Sequence, residues 1–141
     1  MSFLLDTNLV SEWTRPRPNQ GVIEWLAQVD EDRVFISVIT LAELRHGVDR
    51  LAAGKRRSQL DEWLRVALPL RFEGRVLAID VAVADACGTL VAQREHMGRP
   101  IQAMDALIAA TAKVHQLSVV TRNVDDFKPS VAALNPWREA P

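Results

Sequence analysis

The chain has 141 residues and a formal net charge of −1, and 48% of its residues are hydrophobic and 25% charged. This composition is typical of a globular protein and excludes a fibrous or disordered chain, and the near-neutral charge gives no overall field that would attract nucleic acid or a membrane. The single cysteine, Cys87, excludes a disulfide framework and a cysteine zinc site. We expect one domain over residues 1–141, located in the cytoplasm, because neither a leader peptide nor an apolar run long enough to span a membrane is evident.

Strand and helix patterns alternate along the chain. Short apolar runs predict strands over residues 3–5, 33–37, 75–79 and 117–121. Apolar residues spaced by three or four predict helices over residues 22–29, 81–96 and 100–116, and a helical hairpin between residues 41 and 64. The last helix is expected to begin at Pro100, since proline suits a first helical turn. This alternation predicts an α/β domain whose mostly parallel sheet is covered by helices on both faces and binds ligands at the carboxyl ends of its strands.

Acidic residues follow three of the predicted strands. Asp6 comes directly after the first strand, and Glu43 lies shortly after the second. Asp125 and Asp126 lie shortly after the fourth strand. Because the carboxyl ends of parallel strands meet at one edge of a sheet, we expect these carboxylates to lie close together.

Asp105 lies in the middle of an apolar face of the predicted helix 100–116. Its neighbours at helical spacing are all apolar, and they are Ile101, Ile108, Ala109 and Ala112. A solvated role does not explain a carboxylate in such surroundings, and a buried ionisable side chain is a candidate functional residue.

The other carboxylates also have purely structural interpretations. Thr40 and Glu43 fit a capping box, in which the glutamate only satisfies a backbone donor, and taken alone this interpretation is slightly favoured. A helix that begins at Ser37 would instead place Glu43 beyond capping range. Asp6 fits an Asx-type turn, and one of the two aspartates after the fourth strand is expected to be an ordinary loop residue. The predicted convergence on one sheet edge favours a functional site.

Clustered carboxylates repel one another, and no Lys or Arg accompanies each of them at short range in the sequence. A hard divalent cation resolves this repulsion, and all-oxygen ligation suits Mg²⁺ or Mn²⁺ rather than zinc. Mg²⁺ held by few carboxylates keeps several waters, one of which can act as the nucleophile while the ion stabilises a phosphoryl oxygen. The acidic cluster therefore predicts phosphodiester hydrolysis.

Four motifs occur in order along the chain, and they are LDTN at 5–8, SVITLAEL at 37–44, DALIAATA at 105–112, and TRN followed by DF within 121–127. Together they resemble the motifs of the PIN domain, and more narrowly those of the VapC toxins and their FitB-like branch. The resemblance implies a PIN-like three-layer sandwich with a mostly parallel central sheet of four to five strands flanked by helices. It also implies an Mg²⁺- or Mn²⁺-dependent ribonuclease that forms a homodimer and is the toxin of a toxin–antitoxin pair. The antitoxin would inhibit the enzyme and would provide its only link to DNA.

The resemblance also assigns roles to single residues. Asp6, Glu43, Asp105 and Asp126 match the acidic quartet of the family, and Asp125 does not. On this interpretation the three aspartates of the quartet hold the metal, and the glutamate either ligates it or positions the nucleophile. The positions that match supporting polar residues are Thr7, Asn8, Thr121 and Asn123.

Basic residues cluster in the helical hairpin and in the loop after the first strand. A solvated surface is the simpler interpretation of these charges. The sharper hypothesis is that Arg15 and Arg17 contact RNA phosphates, which would make binding dependent on salt.

Two other functions stay open from the sequence. A phosphatase or phospho-acceptor domain would use Asp6 as its nucleophile, although Asn8 stands where a DxD phosphatase has its second aspartate. A non-catalytic α/β interaction module could also retain an acidic pocket.

Overall fold

A parallel sheet organises the fold. Its strands are β1 (Phe3–Leu5), β2 (Val34–Ser37), β3 (Val76–Leu77), β4 (Ser118–Val120) and β5 (Ala133–Leu134). The computed structural model describes residues 1–139, and within that range the five strands have the order β3-β2-β1-β4-β5. β1 pairs in parallel with β2 on one side and with β4 on the other, so Leu4 lies in register with both Phe35 and Val119.

Helices connect the strands and flank the sheet. The first three are α1 (Thr7–Glu12), α2 (Gln20–Gln28) and α3 (Val38–Asp49), with a short 3₁₀ turn at Glu31–Arg33. α4 (Lys55–Glu62) continues through a π-helical segment, Trp63–Ala67, into α5 (Leu68–Arg71). They are followed by α6 (Val81–His96), α7 (Ala103–His115) and α8 (Val124–Phe127). None of the helices within residues 1–139 is long and apolar enough to cross a membrane.

Each face of the sheet has its own apolar core, because successive residues of a strand point to opposite faces. Leu5 and Val120 belong to the core on one face, where the buried residues of the helices are Leu9, Val10, Val22, Leu44, Val48, Leu64 and Leu68. Leu4 and Val119 belong to the core on the other face, where those residues are Leu90, Ala106, Ile108, Ala109, Ala112 and Phe127. The three-layer sandwich and the α/β class expected from the sequence are confirmed.

Polar residues cap the helices that leave the sheet. Asp6 caps α1, and its side chain accepts a hydrogen bond from the backbone N–H of Thr7. Ser37 caps α3, and its hydroxyl accepts a hydrogen bond from the backbone N–H of Ile39 at 3.0 Å. Because α3 begins after Ser37, Glu43 lies in its second turn, and the capping-box interpretation of Glu43 is wrong.

Most of the predicted elements agree with the structure, and the start of α7 does not. Gln102 is extended, with φ −67° and ψ 150°, and its carbonyl accepts the first helical hydrogen bond from Ala106 at 2.9 Å. The predicted start at Pro100 is therefore wrong, because proline is compatible with a first turn but does not impose one. Ile101 consequently lies outside the helix that carries Asp105, although it packs against the same apolar core.

Candidate active site

Asp6 lies at the carboxyl end of β1, where the chain turns into α1. Its side chain is only 5% exposed. Oδ1 accepts a hydrogen bond from the backbone N–H of Thr7 at 2.8 Å, and Oδ2 accepts one from the hydroxyl of Thr121 at 2.7 Å. Burial raises the pKa of Asp6, these two hydrogen bonds oppose the rise, and the charges of Glu43 and Asp126 add to it.

Glu43 is held close to Asp6 by a hydrogen bond from Thr7. The hydroxyl of Thr7 donates to Oε1 of Glu43 at 2.6 Å, and it also lies 3.0 Å from the hydroxyl of Thr40. Because the one hydroxyl proton of Thr7 goes to the carboxylate, Thr40 is the donor in the second contact. Thr40 is fully buried. A directed chain of two hydroxyls therefore runs from the core to Glu43 and fixes the orientation of its carboxylate.

Asp105 approaches these carboxylates from the first turn of α7. Its side chain is half-buried rather than fully enclosed. Burial raises the pKa of Asp105 from 3.8 to about 6, and the charges of Asp6, Glu43 and Asp126 contribute to the rise. These charges act on Asp105 because like charges nearby disfavour its ionised form and Asp105 itself is partly shielded from water. The four predicted acidic residues therefore surround one region of the molecule.

A cavity of about 390 Å³ opens beside Asp105. Asp126, on α8, lines it as well, and its charge acts on both Asp6 and Asp105. Asp125 is exposed and does not line this cavity, so only the second aspartate of the pair belongs to the cluster. The full lining consists of Arg94, Pro100, Ile101, Gln102, Asp105, Asn123 and Asp126.

The four carboxylates supply the oxygen ligands that a hard cation prefers, and the guanidinium of Arg94, which also lines the cavity, donates to backbone carbonyls. Within residues 1–139, no three His, Cys, Asp or Glu side chains are close enough to ligate one ion together. Mg²⁺ usually takes one or two carboxylates and keeps several waters, so wider spacing is compatible with such an ion. Oδ1 of Asn8, on the helix that Asp6 caps, is buried and has no hydrogen-bond partner among the described residues. These residues fit a hydrated divalent cation.

Comparison with known proteins gives the family. A sequence profile of the PIN domain matches residues 3–129. This chain belongs to the PIN-domain family. Toxin FitB of Neisseria gonorrhoeae is 42% identical over 137 residues, which cover 96% of this chain and 99% of FitB. VapC ribonuclease Y4jK of Sinorhizobium fredii is 35% identical, and the match covers 97% of this chain and 99% of that protein. The solved structure of FitAB bound to an IR36 DNA fragment superposes with a TM-score of 0.92 at 39% identity, covering 99% of this chain and 98% of the other.

The four predicted supporting residues of this PIN domain differ in whether they contact a carboxylate of the cluster. Thr121 and Thr7 each hold a carboxylate of the cluster, as described above. The backbone N–H of Asn123 donates to the hydroxyl of Thr121 at 3.0 Å, and Asn123 also lines the cavity. Asn8 makes no side-chain hydrogen bond through its buried oxygen. Only the two threonines therefore orient a carboxylate directly.

Arg15 and Arg17 lie in the turn after α1, and both are exposed. The guanidinium of Arg15 lies 3.8 Å from the carboxylate of Glu12. Arg56 of α4 donates to the carbonyl of Thr14 at 2.5 Å, which joins this turn to the basic end of the helical hairpin. The two basic segments noted in the sequence therefore form one surface. RNA contact by Arg15 and Arg17 stays a prediction.

Sequence reasoning did not assign a site role to two side chains of this PIN domain, Thr40 and Arg94. Thr40 stands three positions before Glu43, so helical spacing alone could have placed both on one face of α3. Arg94 is buried beside the cavity, and its partners include the backbone carbonyl of Asp126, 32 positions away in the chain. No pattern in the sequence signals such contacts.

Proposed function

We propose that this PIN domain is a metal-dependent endoribonuclease toxin, which hydrolyses RNA phosphodiester bonds and is neutralised by a cognate antitoxin. The observation that carries the proposal is the meeting of Asp6, Glu43, Asp105 and Asp126 at the carboxyl edge of the sheet. The carboxylates repel one another, Asp6 is buried and Asp105 is half-buried, so protons or a cation would stabilise the cluster. At neutral pH a cation is the effective partner. The names of the similar proteins, a toxin and a VapC ribonuclease, support the biological part of the proposal.

In this proposal Asp6, Asp105 and Asp126 hold Mg²⁺, or Mn²⁺ in its place, directly or through water. When bound, the cation supplies Lewis-acid stabilisation of phosphoryl oxygens and lowers the pKa of a coordinated water. Glu43 either ligates the cation or accepts a hydrogen bond from the attacking water. Its fixed orientation supports this role, because the hydroxyl of Thr7 engages Oε1 and leaves Oε2 available.

The proposal includes RNA and protein partners. Arg15 and Arg17 supply contacts with RNA phosphates, and the reaction takes place in the cytoplasm, where the RNA is. The chain forms a homodimer, and the antitoxin covers the acidic site. DNA is reached only through the antitoxin, and the solved structure of FitAB bound to a DNA fragment supports association of such a complex with DNA. The near-neutral net charge of the chain is consistent with indirect contact.

The first test is made in cells. Expression of the chain should arrest growth, and expression of the Asp6→Asn variant at the same level should not. Co-expression of the small protein encoded directly upstream should restore growth to the wild-type strain. Growth that continues at full rate with folded wild-type protein present would count against the toxin.

The second test is made with purified protein. RNA should be cleaved with Mg²⁺ or Mn²⁺ present, and cleavage should stop in excess chelator and in the Asp6→Asn preparation. The identically purified variant controls for contaminating nuclease. Turnover of a generic phosphomonoester, or phosphorylation of Asp6 by acyl phosphate, would instead favour the phosphatase class. Absence of both activities would favour the interaction module.

A further inference from the structure

Arg94 is a buried arginine without an acidic partner. It lies near the end of α6 and is only 4% exposed. Within the described part of the chain, none of the ion pairs involves Arg94. A buried guanidinium is costly unless other acceptors satisfy its N–H groups. The positions of those acceptors therefore indicate what Arg94 holds in place.

The acceptors belong to two segments that border the acidic cavity. Nε of Arg94 donates to the carbonyl of Arg99 at 2.8 Å, in the connection between α6 and α7. Nη1 donates to the carbonyl of Asp126 at 2.8 Å and to the hydroxyl of Ser130 at 3.3 Å, in α8 and just after it. Because the guanidinium is planar and rigid, these bonds hold the two segments together, along with a bond from Nη2 of Arg99 to the carbonyl of Asp125 at 3.4 Å.

α8 depends on such an anchor. It has four residues, Val124–Phe127, and the side chain of Asn123 does not cap it. A helix this short is not stable without tertiary contacts. Phe127, which is fully buried, holds α8 to the core, and Arg94 holds it at the neighbouring carbonyl. Asp126 lies between these two attachments, so its backbone cannot shift without breaking one of them.

We propose that Arg94 is a positioning residue for the metal site. By tying the carbonyl of Asp126 to the segment that leads into α7, it directs the Asp126 carboxylate toward the same cation as Asp105. The role rests on the proposed function, because it takes Asp126 as a metal ligand. Arg94 touches neither the metal nor the RNA in this role, so it acts on metal affinity and not on the rate at saturating metal.

The test compares the full-length wild type with the Arg94→Lys and Ser130→Ala variants. Lysine keeps the charge but lacks the planar fork that reaches both segments. The hydroxyl of Ser130 accepts a hydrogen bond from Arg94, so Ser130→Ala weakens the link between the two segments by a milder change. The matched control is Arg33→Gln, since Arg33 is exposed and precedes the amino end of β2, at the edge of the sheet opposite the site.

Mn²⁺ binding is measured by electron paramagnetic resonance without RNA, together with amide hydrogen exchange of the α8 segment in metal-free protein. We expect Arg94→Lys to weaken Mn²⁺ binding about tenfold and to speed exchange of the segment, with a smaller change in the same direction for Ser130→Ala. The Mg²⁺ concentration for half-maximal RNA cleavage should rise by the same factor, while the rate at saturating Mg²⁺ stays within about twofold. The control should match the wild type in all three measurements.

Unchanged Mn²⁺ affinity in Arg94→Lys would overturn the proposal, even if hydrogen exchange became faster. The hydrogen bonds of Arg94 would then stabilise the fold without positioning the metal site. If Arg94→Lys does not fold, Ser130→Ala decides the question by the same criteria. A folded wild type that binds no Mn²⁺ would refute the proposed function itself. A wild type that binds Mn²⁺ but cleaves no RNA would refute the nuclease and leave the result for Arg94 standing.

Discussion

The hydroxyl of Thr121 donates a hydrogen bond of 2.7 Å to Oδ2 of Asp6, although 115 positions separate the two residues in the chain. The same hydroxyl accepts a hydrogen bond from the backbone N–H of Asn123 at 3.0 Å. One small side chain therefore connects the first strand of the sheet to the loop that leads to Asp126. Removing the hydroxyl should affect both Asp6 and the loop that leads to Asp126.

Thr121→Val should destabilise the protein by about 2 kcal/mol, because it leaves a buried carboxylate oxygen and a backbone N–H without partners. The variant should also cleave RNA more slowly. Urea unfolding and cleavage assays measure the two effects, and Thr121→Ser, which keeps the hydroxyl, is the matched control. Equal stability of the valine and serine variants would show that the hydrogen bond has no energetic importance.

Asp105→Asn should lower RNA cleavage by about 100-fold or more, because it removes a charge that the proposed mechanism needs at the metal. The metal-free variant should nevertheless be as stable as the wild type or more stable. Its gain is about 1 kcal/mol after allowance for solvent screening of a half-buried group. Thermal unfolding in chelator measures the gain. A large loss of stability with cleavage intact would refute the assignment of Asp105.

The same carboxylate predicts a dependence of stability on pH. Burial and the neighbouring charges raise the pKa of Asp105 from 3.8 to about 6 in the folded protein. The folded state therefore binds the proton more tightly than the unfolded state does. Proton binding by Asp105 therefore adds to the free energy of unfolding. This stabilisation is fully present below about pH 4 and is lost as the pH rises through about 6.

In chelator, the free energies of unfolding of wild type and Asp105→Asn should thus diverge as the pH rises from about 4 to about 7.5. The variant should be the more stable at the upper end. Urea unfolding at several pH values measures the difference, and Asp125→Asn, at an exposed position outside the cavity, is the control. A difference that does not change over this interval would mean that Asp105 does not titrate as described.

Thr40→Val should reduce RNA cleavage by about tenfold, because it removes the donor that orients the hydroxyl of Thr7 toward Glu43. Thr40→Ser should retain most of the activity, since serine supplies the same proton. Mn²⁺ affinity, measured on both variants, shows whether Glu43 ligates the cation or only positions the nucleophile. Weakened binding in Thr40→Val would indicate a ligand, and unchanged binding would indicate positioning. Full activity of the valine variant would refute the hydroxyl chain.

Patterns that depend on near neighbours were predictable from the sequence. The strand before Asp6 and the apolar face around Asp105 are local features, and the α/β alternation follows from them. Glu43 was ambiguous because two residues, Ser37 and Thr40, had equal chemical capacity to cap α3. Tertiary packing determines which of the two residues caps the helix, and that packing cannot be read from the sequence. The late start of α7 was also not predictable, since proline permits a first helical turn without imposing one and Gln102 is extended in the structure.

Contacts between distant segments were not predictable. Arg94 is an arginine near the end of a helix, where such residues are usually exposed. It is buried here because the folded chain brings Asp126 against it. The direction of the hydrogen bond between Thr40 and Thr7 likewise follows only from the position of Thr7 relative to Glu43 in the fold. These are also the contacts that orient the predicted site residues.

The central position of β1 has a consequence for synthesis of the protein. β1 is made first, yet it pairs with β4, which is made almost last, and Asp126 follows β4. Asp6 and Glu43 therefore precede by many residues the strand whose pairing brings them together with Asp126. Sheets that join distant parts of a chain also form slowly. The acidic site is therefore complete only after β1 has paired with β4.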